Sequence, residues 1–148
     1  MKEQLMMEQN DRIHVKEIIR ASLEARNNAY APYSGYTVGA ALVTSDGKIY
    51  QGCNVENASY GATNCAERTA FFKAVSEGER EFAAIAISGG KTGEEPVDYA
   101  YPCGICRQVM AEFAGADFRI FVVKNENEYK EYRLEELLPH GFGAGQLQ

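Results

Sequence analysis

The stretch TNCAERTAFFKA, Thr63 to Ala74, puts a thiol, a carboxylate and a guanidinium into one helical turn: Cys65, Glu67 and Arg68. It reads as the opening of a helix from about Asn64 to Glu77. Gly78 follows, where a left-handed residue is wanted to end it. Glu and Arg are ordinary on helix surfaces. A cysteine at the helix start with an apolar run directly behind it is not.

Working outward, the neighbouring segments define a fold class. Asp11 to Asn28 predicts a helix, with Val15, Ile18, Ile19 and Leu23 at helical spacing and Asp11 as its cap. APYSG breaks it. YTVGAALVT and KIYQGCNV flank SDG, whose Asp46-Gly47 pair suits a tight hairpin, although the glycines inside both strands weaken the pattern. After the opening stretch come a short strand (FAAIAIS), a loop (GGKTGEEPVDYAYP) and a second helix (CGICRQVMAEFA) starting just after Pro102. FRIFVV is another strand, EYKEYRL a last edge strand, and LEELLP a short helix before a Gly-rich tail. A helix, a hairpin and then alternating helix and strand predict a mixed sheet covered by helices.

Length and composition bound the rest. The 148 residues suit one domain with its own core, and no repeat or linker divides them. Hydrophobic content of 45% and charged content of 24% are those of an ordinary globular protein. Net charge is −6, from 15 basic and 21 acidic side chains, which argues against a nucleic-acid partner because phosphate binding needs a basic patch. The start, MKEQLMMEQNDRIH, is too polar for a signal peptide, and no apolar run reaches membrane-spanning length. A cytoplasmic location is expected. In a reducing compartment, four cysteines read better as metal-binding or catalytic than as a disulfide framework.

The two cysteine segments share a design. Cys65 opens one helix; Cys103 and Cys106 open another. A Cys-x-x-Cys pair on a first turn lets two sulfurs converge on one ion, and a third sulfur from a neighbouring helix completes three protein ligands. A catalytic zinc site of this type keeps its fourth position for water. Helix N-termini favour thiolate over thiol. Three thiolates leave a zinc site with net negative charge, which would blunt its Lewis acidity, and Arg68 is placed to offset it. Glu67 is placed to move protons. Three other readings stay open: a closed four-cysteine structural site that includes Cys53, a redox pair of Cys103 and Cys106, and a solvated face for Glu67 and Arg68. Cys53 alone reads as a buried small hydrophobe, and His14 and His140 as surface residues.

With Cys65-Ala66-Glu67-Arg68 and the segment PCGICRQV, Pro102 to Val109, the chain closely resembles the small, homotetrameric cytidine deaminases. The zinc-deaminase signature runs H-x-E and then P-C-x-x-C, with an all-cysteine alternative. The resemblance extends from AYAPYSGYTVGAAL through GCNVENASYG to EELLP. It implies a three-layer α/β/α sandwich around a five-stranded mixed sheet, spanning one domain over residues 1–148 with 1–10 as a loose extension. It also implies zinc-dependent hydrolysis of cytidine and 2′-deoxycytidine to uridine and 2′-deoxyuridine, an activity of pyrimidine salvage. By motif match, Cys65, Cys103 and Cys106 hold one Zn²⁺ and Glu67 shuttles protons. Asn54 and Glu56 bind the ribose hydroxyls. Tyr36 (where the family often has Phe), Ala66 and Phe142 serve the base, Phe142 from a neighbouring subunit. Blasticidin S deaminase shares the Cys-Ala-Glu and Pro-Cys-Gly-x-Cys elements, but NCAERTA and NVENASYG favour cytidine.

Overall fold

The computed structural model of the chain describes residues 14–148; the Asp11 cap and the extension at 1–10 lie outside the described residues. Helix α1 is Val15–Ala25, prolonged by a 3-10 turn at Arg26–Asn28. Strands β1 (Tyr36–Thr44) and β2 (Ile49–Cys53) form the expected hairpin, turned at Gly47 with φ 95°. Helix α2 (Ala66–Ser76) leads to β3 (Phe82–Lys91), and α3 (Gly104–Phe113) leads to β4 (Arg119–Asn125). Strand β5 (Glu128–Arg133) and the short α4 (Leu134–Leu137) follow. Gly78 has φ 98°, as the end of α2 demands.

The five strands make one mixed sheet in the order β2-β1-β3-β4-β5. Only β3 and β4 pair in parallel; the other neighbours are antiparallel. The central strands are apolar on both faces, as a sheet covered on both sides requires. Ala40, Leu42, Ile85, Ile87, Ile120 and Val122 face α2 and α3; Ala41, Val43, Ala84, Ala86, Phe121 and Val123 face Ile18 and Ile19 of α1. This is the three-layer α/β/α sandwich. Phe71 of α2 anchors the larger core, its ring 5.1 to 6.1 Å from those of Phe82, Phe113 and Phe118. The expected polar edge is also present, since β5 is almost wholly exposed.

The glycines that weakened the strand pattern have a packing reason. A Cβ on Gly39 would sit 2.0 Å from the Ser22 carbonyl oxygen of α1. One on Gly52 would sit 2.4 Å from the Ala66 carbonyl oxygen and 2.5 Å from the Ala70 nitrogen of α2. Two helix backbones therefore press directly onto the hairpin, one on each face.

Topology then builds the site. Strands β2 and β3 both run antiparallel to β1, so they point the same way. Helix α2 leaves the end of β2, α3 follows the loop after β3, and both lie on the same face of the sheet. Their N-termini consequently arrive side by side at the ends of the strands, the usual location of sites in such sheets.

Candidate active site

Cys65 is the N-cap residue of α2 and Cys103 that of α3, both with extended backbone and neither with a side-chain capping bond. Ser, Asp, Asn or Thr would normally occupy these positions and stabilise each helix by about 1 kcal/mol. Both helices forgo that stabilisation and present sulfur instead. Cys106, one turn into α3, is buried. The sulfurs of Cys65 and Cys103 are 3.8 Å apart and those of Cys103 and Cys106 3.5 Å, with all three within 4.8 Å of one another. Two sulfurs each about 2.3 Å from a tetrahedral zinc ion would be about 3.8 Å apart. The triad fits that ion.

Charge around the triad is arranged to keep one sulfur, that of Cys65, anionic. Arg68 Nη2 donates to Cys65 Sγ at 3.2 Å. The Cys106 thiol also donates toward Cys65, and these two bonds overcome the effect of burial to bring the Cys65 thiol down to about 5. Cys106 moves the opposite way, because its proton is held by Cys65 and its sulfur is desolvated. Burial alone would lower the Arg68 guanidinium, but the two facing sulfurs more than reverse this.

Glu67 belongs to the buried stripe of α2 with Ala66, Ala70, Phe71 and Ala74, and is only 4% exposed. A carboxylate in such a stripe loses its hydration. Burial, reinforced by the charge of Cys65, pushes its carboxyl up to about 7, with its own backbone N–H and the Cys106 thiol pulling back. Glu67 is therefore not on a solvated face. Cys53, at the end of β2, lies outside the sulfur cluster, and burial raises its thiol. The closed four-cysteine site does not form.

Residues 13–122 match the family model described as the cytidine and deoxycytidylate deaminase zinc-binding region. The chain belongs to this deaminase family. Cytidine deaminases of Sporosarcina psychrophila and Halalkalibacterium halodurans are 47% and 48% identical to it over 133 and 127 residues. These matches span 90% and 86% of this chain and 94% and 92% of those proteins. The crystal structure of cytidine deaminase from Burkholderia pseudomallei aligns with a TM-score of 0.78 at 48% identity, covering 85% of this chain and 97% of that one. That from Mycobacterium tuberculosis gives 0.75 at 35% identity, covering 88% and 98%.

Of the remaining candidate residues of this deaminase-family chain, Asn54 and Glu56 lie in a separate network just after β2. Asn54 is 8% exposed; its Oδ1 accepts from the Val38 N–H at 2.8 Å and its Nδ2 donates to the Tyr36 carbonyl at 2.9 Å. Glu56 accepts from the backbone N–H groups of Tyr33 and Ser34, each at 3.0 Å, and from the Ser34 hydroxyl. The Ser34 hydroxyl and these N–H groups hold its carboxyl below the usual range. Glu56, Tyr33, Ser34, Asn57, Tyr60 and Thr63 line an open cavity of about 310 Å³. Tyr36 begins β1 with its phenol oxygen packed toward Gly89. Ala66 is fully buried, with its carbonyl against Gly52. Phe142 stands apart on the C-terminal segment, half-exposed, its carbonyl accepting from Gln108 Nε2.

Backbone bridges that the sequence pattern did not reveal join this network to the sulfurs. Val55 pairs with Tyr30 on one side and with Asn64, the residue before Cys65, on the other. Tyr33, Tyr60 and Thr63 also escaped the sequence reading. Their signal was the placement of tyrosines in the loops APYSG and NASYG, where no core periodicity calls for them.

Proposed function

We propose that this protein hydrolyses cytidine and 2′-deoxycytidine to uridine and 2′-deoxyuridine with release of ammonia. The observation that carries the proposal is a buried, protonatable carboxyl on the same helical turn as one of three convergent sulfurs. Zinc held by Cys65, Cys103 and Cys106 would supply Lewis-acid activation of water at neutral pH.

The protein's own residues do the remainder. Glu67 takes one proton from water and delivers it to N3 of the ring as C4 is attacked, then takes the second from the new C4 hydroxyl and passes it to the departing amine, leaving the C4 carbonyl. In the metal-free chain burial raises this carboxyl to about 7, against the pull toward the carboxylate that a bound cation would exert, and a group balanced in that way can both accept and donate a proton. Arg68 withdraws charge from Cys65 and so keeps the three-sulfur site electrophilic. Asn54 and Glu56 orient the sugar hydroxyls, and Tyr36, Ala66 and Phe142 flank the base. Asn54 fulfils its part by fixing the edge of β1, because its side-chain amide already bonds to Val38 and Tyr36.

A neutral nucleoside carries no phosphate, so a chain of net charge −6 needs no basic patch to bind it. We read residues 1–148 as one deaminase-like domain acting in pyrimidine salvage in the cytoplasm, without nucleic-acid or membrane partners. Among the described residues no helix is long and apolar enough to cross a membrane. The family resemblance implies a homotetramer in which neighbouring subunits close each other's substrate pockets, an arrangement that would cover the exposed Tyr33, Tyr60 and Phe142. The test is a spectrophotometric assay of zinc-replete protein with cytidine, 2′-deoxycytidine and blasticidin S side by side. Turnover of the first two is expected; turnover of blasticidin S alone would overturn the assignment.

A further inference from the structure

The three sulfurs are not equally supported. Cys106 is buried within α3. Cys65 receives a hydrogen bond from Arg68. Cys103 is exposed, sits ahead of the first helical residue of α3, and among the described residues its sulfur hydrogen-bonds with Cys65 and Cys106, neither of which is a support from outside the triad. Its orientation depends on the backbone entering α3, and that backbone is Pro102. Proline has no N–H, so the carbonyl is the one backbone group by which Pro102 can be held.

Arg107, one turn into α3 and half-buried, holds it. Its Nε donates to the Pro102 carbonyl at 2.8 Å, while Nη1 donates to the Leu137 carbonyl at 2.6 Å. Leu137 is the last residue of α4. One planar guanidinium thus spans the residue before the exposed ligand and a segment 30 positions away. Its backbone N–H also bonds to the Cys103 carbonyl at 3.0 Å. We propose that Arg107 is a positioning residue for the metal site, fixing Cys103 through Pro102 and bracing that loop against the end of α4. The planar fork makes the role specific to arginine, because an ammonium cannot reproduce two divergent donors in one rigid plane.

This inference rests on reading Cys65, Cys103 and Cys106 as metal ligands. It is tested by transfer of zinc from the full-length protein to a metallochromic chelator at 25 °C, for the wild type, Arg107→Lys, Arg107→Met and Gln108→Ala. The thiolate charge-transfer and d–d bands of the cobalt(II)-substituted proteins form a second readout. Loss of support outside the ligand shell typically weakens a site about tenfold or more. Arg107→Met is therefore expected to release zinc about tenfold faster and to alter the cobalt spectrum. Arg107→Lys should fall between it and the wild type, and Gln108→Ala should match the wild type. A merely structural role would lower the melting temperature of metal-free protein but leave both metal readouts unchanged. Release from Arg107→Lys and Arg107→Met within twofold of the wild type, with unchanged spectra, overturns the inference alone. A wild-type protein that takes up neither metal overturns the ligand reading along with it. If Arg107→Met does not fold, Arg107→Lys decides by the same two readouts.

Discussion

The two ends of the proposed active site are built on different principles. At the metal end, everything needed lies within one chain: three sulfurs from two adjacent helix starts, a buried carboxyl and a guanidinium that donates to one sulfur. At the nucleoside end, the polar groups are already engaged by the chain's own loops. Asn54 bonds to the backbone of β1, Glu56 to Tyr33 and Ser34, and the aromatics around them face outward. The metal end is preorganised by secondary structure, whereas the nucleoside end is a network of short loops with an open wall. Reactivity should therefore be set by the two helix starts and affinity by the loops.

The sharpest way to break this division is Glu67→Gln. Turnover of cytidine should fall at least about a hundredfold, the scale of a lost general acid–base, while one zinc per chain is retained. Activity at wild-type level with full zinc would remove Glu67 from its role.

Glu67 also gives the metal end a pH signature in chelator-treated protein. Its folded value of about 7 lies above its ordinary 4.5, so its contribution to stability is fully present below pH 4.5 and lost as pH rises through 7. The loss amounts to about 3 kcal/mol at 1.36 kcal/mol per pH unit. Urea melts of the metal-free wild type and Glu67→Gln should diverge in this window, with the variant the more stable above pH 7. Parallel pH profiles would show that Glu67 is not desolvated.

At the nucleoside end, Asn54→Ala should act first on folding. It strands a Val38 N–H and a Tyr36 carbonyl, so a loss of about 2 kcal/mol is expected in chemical denaturation, with zinc content unchanged. A variant as stable as the wild type but weak in binding would make Asn54 a direct ligand rather than a brace. The smallest effect is assigned to Arg68→Gln: about tenfold weaker zinc retention or a comparable loss of activity. Wild-type values for both would defeat the charge-balance argument.

The same contrast governs what could be read in the sequence. Both cysteine-bearing helices were legible because each begins abruptly at a cysteine after a loop and continues with an apolar run. Their meeting was not, since it follows from β2 and β3 both running antiparallel to β1. Gly39 and Gly52 looked like flaws in strands until the helix backbones lying on them were seen. Strand β3 continues to Lys91, beyond the FAAIAIS run that marks it, because Gly89, Gly90 and Lys91 pair with β1 regardless of their composition. Arg107 and the tyrosines of the nucleoside end went unnoticed for a related reason. Their partners are backbone groups and loops distant in sequence, and no local periodicity announces them.

The central claim is that one zinc ion is held by Cys65, Cys103 and Cys106 and by no fourth cysteine. Elemental analysis of freshly purified wild type, Cys53→Ser and Cys65→Ser tests it directly. About one zinc per chain is predicted in the first two, with most of it lost in the third. Metal-free wild type, or zinc that leaves with Cys53→Ser and stays with Cys65→Ser, would contradict it.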